Sequence, residues 1–263
     1  MTSADDFLAA FRLEGRCALI TGAGGGIGRA LVRVFRSAGA SIIGADLAQG
    51  AMDDLELTER LAFDLTDAEA VGNAVDALES AGRGPDILVS NAGFTRGETL
   101  AQVDRAVWEK EIAINLTGAF NIASPVVEAM AKRGGGSVVF IASVNALSHY
   151  GNPAYSAAKA GLVAYAKAIA VERGANGVRA NVVCPGSVQT PAWDHRLEKS
   201  PDLLRRVLPH YPLGRMVSPE EVAYAALFLA SDAASGITGA VLPVDAGLTA
   251  GNLRFVNDVF GGN

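Results

Sequence analysis

The sequence predicts an α/β fold, a doubly wound parallel β-sheet with helices on both faces. Two observations carry this prediction. Apolar runs of strand length alternate with segments of helical period along most of the 263 residues. The strand segments are apolar throughout, which is typical of parallel strands that helices cover on both faces. Right-handed crossovers between such strands then give a doubly wound sheet.

Each element follows from the local pattern of apolar and turn-forming residues. Strands are predicted at residues 17–20, 41–45, 60–63, 87–90, 137–142, 179–183 and 241–244. Helices are predicted at residues 26–38, 67–81, 104–132, 154–173 and 219–230. Thr66 is predicted to cap the second of these helices. Residues 186–215 are rich in proline and charge and are predicted to form a partly helical flap over a site.

Composition favours one domain and argues against a nucleic-acid partner. Half of the residues are hydrophobic, which is enough for a sizeable core. No linker or internal repeat divides the chain, so we expect residues 1–263 to form a single domain with a C-terminal tail at 249–263. The net charge of -6 repels polyphosphate backbones, and no basic run offsets it.

The sequence shows no targeting, membrane or metal-binding pattern. The N-terminal segment lacks the basic start and apolar stretch of a secretory signal. No window reaches the length of uncharged apolar sequence that a membrane-spanning helix requires. We therefore expect a cytoplasmic protein with no membrane partner. Cys17, Cys184 and the scattered histidines lack metal-ligand spacing, so we expect reduced thiols and no metal.

A glycine-rich segment follows the first predicted strand and opens the first predicted helix. It reads Thr-Gly-Ala-Gly-Gly-Gly-Ile-Gly from Thr21 to Gly28. Glycine lets the backbone turn tightly and lets a pyrophosphate approach amides that a Cβ would obstruct. The helix N-terminus adds unpaired N–H groups and a partial positive charge. In this position the segment indicates a site for the phosphates of a dinucleotide.

Asp46 ends the second predicted strand, about twenty residues after the glycines. A carboxylate there accepts hydrogen bonds from the adenosine ribose hydroxyls and repels a 2′-phosphate. The glycine segment contains no Arg or Lys, and the three residues after Asp46 add none. Arg29, in the helix beyond the loop, is a nearby cation that weakens this argument. The pattern favours NAD over NADP.

Two short polar strings follow the third and fourth predicted strands. Asp64-Leu65 is expected beside the adenine, and Asn91-Ala92-Gly93 under the ribose. Either string taken alone would be read as a turn. Their position after successive strands, at the edge where such sheets bind ligands, makes them candidate cofactor contacts.

The most informative segment is Tyr155-Ser156-Ala157-Ala158-Lys159, which begins a predicted helix. Tyr155 and Lys159 are four residues apart and therefore share one helix face. The unperturbed pKa of a tyrosine is roughly 10, and a nearby ammonium lowers it toward the working range. The same ammonium can bond the nicotinamide ribose. We predict that Tyr155 is the acid–base residue and that Lys159 supports it.

Two further polar residues complete the predicted catalytic site. Ser143 follows the fifth strand and is predicted to hold the substrate oxygen while Tyr155 exchanges the proton. Asn115 lies inside the long central helix, where it either holds a water that links Lys159 to solvent or satisfies a backbone carbonyl. The predicted chemistry is hydride transfer between nicotinamide C4 and an alcohol or carbonyl carbon.

In this order, the glycine loop, Asn-Ala-Gly, the central-helix Asn, the Ser and Tyr-x-x-x-Lys resemble the short-chain dehydrogenase/reductase family, over roughly residues 13–247. The resemblance implies a single-domain Rossmann fold with a seven-stranded sheet. It also implies a homotetramer or homodimer, paired through the two long central helices and the C-terminal segment. A glycine stands in the loop where many members carry Ser.

The resemblance also implies roles for particular residues. It implies phosphate contacts at Gly22, Gly26, Ile27 and Gly28, and nicotinamide contacts at Pro185, Gly186, Val188 and Thr190. It further implies a catalytic tetrad of Asn115, Ser143, Tyr155 and Lys159.

The substrate is the least determined feature. Pocket residues are expected from residues 94–95, 145–150 and 187–196. The predicted substrate contacts are Ser143, Asn145, His149, Tyr155 and Trp193, with His195 also considered. Because several of these bond hydroxyl groups, we expect a sugar, polyol or similar small hydroxylated substrate, with a cyclic or aromatic alcohol as the alternative.

Two other functions share some of these motifs. One is an NADP-dependent 3-oxoacyl-thioester reductase, and Asp46 together with the lack of cations counts against it. The other is a non-enzymatic dinucleotide-sensing protein. Such a sensor would not need Ser143, Tyr155 and Lys159, and all three are present.

Overall fold

Seven parallel strands form one sheet in the part of the chain that the computed structural model describes, residues 8–261. The side chains of Ala192 and His195 are not included in this description, so the contact considered for His195 lies outside the described residues. The strand order is β3-β2-β1-β4-β5-β6-β7. The strands are β1 Cys17–Thr21, β2 Ser41–Asp46, β3 Glu59–Ala62, β4 Ile87–Ser90, β5 Gly136–Ile141, β6 Val178–Pro185 and β7 Val241–Val244.

Helices cover both faces of this sheet. They are α1 Gly26–Ser37, α2 Ala68–Ser80, α3 Arg105–Arg133, α4 Pro153–Arg173, α5 Pro191–Lys199, α6 Leu203–Val207, α7 Pro219–Ala230 and α8 Leu253–Phe260. Alternate residues of each central strand point to opposite faces. In β1, Ile20 belongs to the core under α1 and α7, whereas Leu19 belongs to the core under α2, α3 and α4. The predicted doubly wound sheet is therefore confirmed.

The predicted element ends agree with the structure to within two residues. One predicted cap is wrong. The Thr66 hydroxyl donates a hydrogen bond to Asp64 at 2.8 Å instead of capping α2. The carboxylate of Asp67 accepts the bond from the Ala70 amide at 3.0 Å, so Asp67 is the N-cap.

Helix α3 departs from the expectation that no segment is long and apolar enough to span a membrane. By length and composition alone, it is apolar enough to cross a membrane, with a mean hydropathy of 1.2 over its best window. In this fold Ile122, Val126 and Met130 of α3 pack against the sheet and are fully buried. These three apolar side chains of α3 therefore belong to the core on one face of the sheet.

The sheet order places the strand ends that matter for a site side by side. Because all strands run in one direction, their carboxyl ends lie at the same edge of the sheet. The chain winds outward from β1 to β3 on one side and from β4 to β7 on the other. The crevice between the ends of β1 and β4 is where this direction reverses, and ligands bind such crevices.

Candidate active site and dinucleotide cleft

A cavity of about 770 Å³ opens at the carboxyl ends of the strands. Every residue predicted to contact a cofactor lines it, as do Ser143, Phe94 and Thr95. The cavity therefore brings the predicted phosphate loop and three of the predicted catalytic residues, Ser143, Tyr155 and Lys159, to one continuous surface. Its size is within the range of small-molecule sites.

The glycine loop fits a phosphate group. Gly25 is the N-cap of α1 and has no side chain to bond the amides of the first turn. Those N–H groups are available to an anion at the helix N-terminus. Gly22 has a φ of +64°, and a Cβ on Gly28 would collide with the Gly22 carbonyl. Side chains at these two positions would therefore deform the loop.

Asp46 lies on the cavity wall at the end of β2, beside the glycine loop. Its carboxylate accepts hydrogen bonds from the amides of Gly24 at 2.9 Å and Leu47 at 2.8 Å. Each oxygen can accept a further bond, because an ionised carboxylate has about four lone-pair sites. The two amides orient Asp46 and leave acceptor capacity for ribose hydroxyls.

Arg29, the cation that weakened the NAD argument, makes its hydrogen bonds to protein groups beside the cavity. Its guanidinium bonds the carbonyls of Gly24 at 2.9 Å and Ala51 at 3.0 Å, and the carboxylate of Asp54 at 2.6 Å. Arg29 does not line the cavity, and Lys159 is the one Lys or Arg among the described residues that does. The adenosine end of the cavity is therefore without a cation.

Residues of the two polar strings line the cavity and also make hydrogen bonds that tie neighbouring segments together. The Asn91 amide group bonds the carbonyls of Thr21 at 3.0 Å and Gly22 at 3.2 Å, which joins the ends of β4 and β1. Asp64 accepts bonds from both the amide and the hydroxyl of Thr66. All of these residues except Thr66 line the cavity.

Tyr155 and Lys159 lie at the nicotinamide end, in the first turns of α4. The Lys159 ammonium donates a hydrogen bond to the Ile141 carbonyl at 2.9 Å, and it lies 5.5 Å from the centroid of the Tyr155 ring. Burial raises the pKa of Tyr155 to about 12, and its hydrogen bond with Ser143 lowers it by less. Burial also lowers the pKa of Lys159 to about 8.

The raised pKa of Tyr155 differs from the expectation that Lys159 lowers the pKa of this phenol toward neutral pH. In the protein alone, both groups lie where charge is poorly solvated, so burial favours neutral phenol and neutral amine. The sequence shows the pairing of Tyr155 with Lys159 and cannot show how deeply the pair is buried.

Asn115 occupies a turn of π-helix, Ala113–Thr117, inside α3. Its amide group donates to the carbonyls of Phe94 at 2.6 Å and Glu111 at 2.8 Å, and its oxygen accepts from the Phe94 amide at 3.0 Å. Of the two roles predicted for Asn115, the structure shows the bond to a backbone carbonyl. The water-holding role stays a prediction.

Gly93 lies beside two members of the predicted tetrad, Asn115 and Lys159. A Cβ added to Gly93 would lie 3.0 Å from the Asn115 side-chain oxygen and 3.4 Å from the Lys159 nitrogen. Asn115 and Lys159 therefore both lie close to Gly93, and a side chain at this position would crowd the Asn115 amide.

Three of the predicted substrate residues lie off the cavity wall. The Asn145 side chain is engaged with Ser143, Gly151 and Ser156. His149 is exposed, and the Trp193 ring lies 5.5 Å from the guanidinium of Arg196. Ser143 and Tyr155 do line the cavity. Substrate contacts at Asn145, His149 and Trp193 stay predictions.

The sequence reasoning missed two residues that hold the wall beside Phe94 and Thr95. Glu111 is fully buried and accepts the amides of Arg96 at 2.5 Å and Gly97 at 3.0 Å. Asn152, at the N-cap of α4, donates to the Thr95 hydroxyl at 2.9 Å. Glu111 offered a signal, since it is a charged residue at the start of an apolar helical run.

The segment predicted as a flap carries helices α5 and α6 and is fastened at its base. Val188 pairs with Val217, and the Tyr211 hydroxyl accepts the Ser187 amide at 3.1 Å. At the start of α5, Thr190 contacts the glycine loop so closely that a Cβ on Gly26 would lie 2.8 Å from it. The segment therefore forms one wall of the cavity.

Comparison with protein families gives one match over most of the chain. A short-chain dehydrogenase model, described as enoyl-(acyl carrier protein) reductase, matches residues 22–249. The match includes both the glycine loop and the Tyr155–Lys159 pair.

Similar proteins match nine-tenths or more of the chain. An uncharacterized oxidoreductase of Schizosaccharomyces pombe is 40% identical, over 95% of this chain and 97% of its own. A 3-oxoacyl-(acyl-carrier-protein) reductase of Thermotoga maritima is 38% identical, over 90% of this chain and 99% of its own. A galactitol 2-dehydrogenase of Cereibacter sphaeroides is 37% identical, over 93% of this chain and 99% of its own.

Solved structures agree with these relatives. A short-chain dehydrogenase/reductase family oxidoreductase from Burkholderia thailandensis is 43% identical with a TM-score of 0.88, over 94% of this chain and 98% of that one. A gluconate 5-dehydrogenase from Burkholderia cenocepacia, in complex with NADP and tartrate, is 32% identical with a TM-score of 0.85, over 93% and 99%. With its Rossmann-type sheet and full-length relatives, the chain belongs to the short-chain dehydrogenase/reductase family and is a nicotinamide-dependent oxidoreductase.

Proposed function

We propose that this enzyme transfers a hydride between NAD and the secondary alcohol or ketone of a small hydroxylated compound. The observation that carries the proposal is the meeting of Ser143, Tyr155 and Lys159 around the cavity that also contains the glycine loop. A hydride transfer needs the cofactor and an acid–base group on one surface, and this cavity offers both. The bound nicotinamide would supply the hydride acceptor or donor.

The side chains at the nicotinamide end have distinct roles in this proposal. In oxidation, the Tyr155 oxygen takes the proton of the substrate hydroxyl. The Ser143 hydroxyl bonds the substrate oxygen and holds it near the phenol. Lys159 has donors left after bonding the Ile141 carbonyl, and these are available to orient the cofactor.

The preference for NAD rests on this chain's own residues. Asp46 presents a carboxylate at the cavity wall, and Arg29 is bound to three other groups. A 2′-phosphate would meet a negative charge and no cation there. The gluconate 5-dehydrogenase structure contains NADP, so family membership by itself does not decide the cofactor.

Replacing Asp46 tests the cofactor preference. In Asp46→Ala we expect the KM for NAD to rise by about 10- to 100-fold, since hydrogen bonds to a charged group contribute about 1.5–3 kcal/mol. The selectivity for NAD over NADP should fall because the repulsion of the phosphate is removed. Asp53→Ala removes the same charge from an exposed residue off the cavity and is the control. An unchanged ratio of kcat/KM values would show that Asp46 does not recognise the ribose.

Replacing Tyr155 tests the acid–base role. Tyr155→Phe should lower kcat at least 100-fold and leave NAD binding intact, because it removes only the hydroxyl. Tyr165→Phe makes the same change in α4 away from the cavity and should retain activity. Binding is measured by fluorescence titration and turnover by NADH formation. Substantial turnover by Tyr155→Phe would exclude Tyr155 as the base.

The direction of the Tyr155 pKa gives a pH dependence in the wild-type enzyme. Because burial raises this pKa, the phenolate that oxidation needs forms only as the pH rises. Oxidation should therefore accelerate into the alkaline range. Reduction needs the protonated phenol and should slow there.

The substrate class is supported by relatives and by the cavity. The galactitol 2-dehydrogenase and a 38% identical D-threitol dehydrogenase of Mycolicibacterium smegmatis are named for polyols. The cavity wall combines hydroxyl groups of Thr95 and Ser143 with apolar Phe94. The second candidate is reduction of a 3-oxoacyl thioester, which the Thermotoga maritima relative favours by its name.

A substrate panel distinguishes these candidates. NAD and NADP reduction is followed with sugars, polyols, and cyclic and simple secondary alcohols. NADPH and NADH oxidation is followed with a 3-oxoacyl thioester. We expect NAD-linked oxidation of one hydroxylated class. Oxidation of NADPH by the thioester, with no reaction of the alcohols, would move the protein to the reductase function.

We also propose that the chain forms a homotetramer or homodimer in the cytoplasm. Phe120 and Trp108 of α3 and Val171 of α4 are large apolar residues exposed by 50%, 44% and 83%. Exposed apolar surface on the two long helices suits an isologous contact. Light scattering should give a mass two or four times 27.1 kDa, and a monomer mass would contradict the proposal.

A further inference from the structure

We propose that Asn145 is a positioning residue that holds the Ser143 hydroxyl in place at the cavity wall, ready to turn and donate a hydrogen bond to the oxygen of an alcohol substrate. This inference rests on the proposed function, in which Ser143 bonds the substrate oxygen. It gives Asn145 a role behind the cavity wall in place of the direct substrate contact expected from the sequence.

The orientation of the Asn145 amide is fixed by its surroundings. One end of the amide lies 2.7 Å from the Gly151 carbonyl oxygen, which can only accept a hydrogen bond. That end must therefore be the NH₂ group, which also donates to the Ser156 hydroxyl at 3.0 Å. The other end is then the carbonyl oxygen, 3.2 Å from the Ser143 oxygen.

This orientation decides the direction of the bond to Ser143. The Asn145 carbonyl oxygen can only accept, so the Ser143 hydroxyl must donate to it. The backbone amide of Asn145 donates to the same serine oxygen at 3.2 Å. Asn145 thus fixes the position of the serine oxygen through its amide and the direction of the serine hydrogen through its side chain.

The Ser143 oxygen stays in place at the cavity when its hydrogen changes partner, because the Asn145 amide holds it. Ser143 lines the cavity together with Tyr155, whereas Asn145 lies behind them. The single hydroxyl hydrogen of an entering alcohol goes to Tyr155, so Ser143 meets the alcohol oxygen as a hydrogen-bond donor. The serine O–H can turn from Asn145 to make this bond and keep it as the alcohol becomes a carbonyl, because the backbone amide of Asn145 still holds the oxygen.

Asn145 also links the two catalytic elements. Ser143 follows β5, and Ser156 is next to Tyr155 in the first turn of α4. The Ser156 hydroxyl accepts from Asn145 and lies within bonding distance of the carbonyls of Gly151 at 3.0 Å and Asn152 at 2.9 Å. The network therefore couples the orientation of Ser143 to the start of the helix that carries Tyr155.

A double-mutant cycle tests this inference. The variants are Asn145→Ala, Ser143→Ala and the double variant, with kcat/KM for the alcohol measured at saturating NAD. We expect losses of about tenfold for Asn145→Ala and about 100-fold for Ser143→Ala. If Asn145 acts through Ser143, the double variant should lose no more than Ser143→Ala. A merely structural role would multiply the two losses, and that result would overturn the inference.

Controls separate this inference from the proposed function. Asn73→Ala makes the same substitution at an exposed residue of α2 away from the cavity and should change kcat/KM less than threefold. The backbone bonds from Ala146 to Ser143 and from Leu147 to Val144 do not involve the Asn145 side chain, so the turn should still fold. Should Asn145→Ala nevertheless fail to fold, Asn145→Leu repeats the cycle with a side chain of similar size that has no hydrogen-bond acceptor.

The outcomes are distinct. A large loss in Ser143→Ala with none in Asn145→Ala overturns the role of Asn145 and leaves the proposed function standing. No loss in Ser143→Ala overturns the proposed role of Ser143, and the inference falls with it. Unchanged NAD binding in each variant shows that the cofactor end of the cavity is intact.

Discussion

The common direction of the seven strands is the constraint on which the rest of the site depends. Parallel strands place all of their carboxyl ends at one edge, and each crossover helix begins there. The unpaired amides of α1, the carboxylate of Asp46 and the Ser143 hydroxyl are far apart in sequence and become neighbours at that edge. A reversed strand would move its terminal residue to the opposite edge and remove one part of the site.

Burial modifies the chemistry that this topology assembles. The spacing of Tyr155 and Lys159 predicts that they act as a pair. Both lie in the protein interior, so the pKa of Tyr155 is raised and the pKa of Lys159 is lowered, and each shift favours the neutral form of its group. The Lys159 ammonium is stabilised by a backbone carbonyl and not by a carboxylate. A site of this kind responds strongly to any charge that enters it, since little water is present to screen the interaction.

The sequence predicted the fold, and it predicted the residues that meet along one wall of the cavity, because both depend on local patterns. Strand-length apolar runs set the sheet, and short polar strings at strand ends reached the cavity as expected. Predictions for individual polar side chains were weaker. The hydroxyl of Thr66 donates a hydrogen bond to Asp64, and the side-chain amide of Asn145 donates to Gly151 and Ser156. Such choices depend on distances between loops, which spacing along the chain does not encode.

Arg29 shows how internal hydrogen bonds restrict what a binding site can become. Its guanidinium joins the glycine loop to the segment after β2, where Gly24 and Ala51 are in close contact. Withdrawing this arginine to serve a new ligand would loosen the wall that it holds together. A lineage that came to use NADP would therefore need a new cation for the 2′-phosphate. The exposed residues Leu47 and Ala48 are positions where a Lys or Arg could be introduced. The change would take at least two substitutions, so cofactor choice in this protein should evolve slowly.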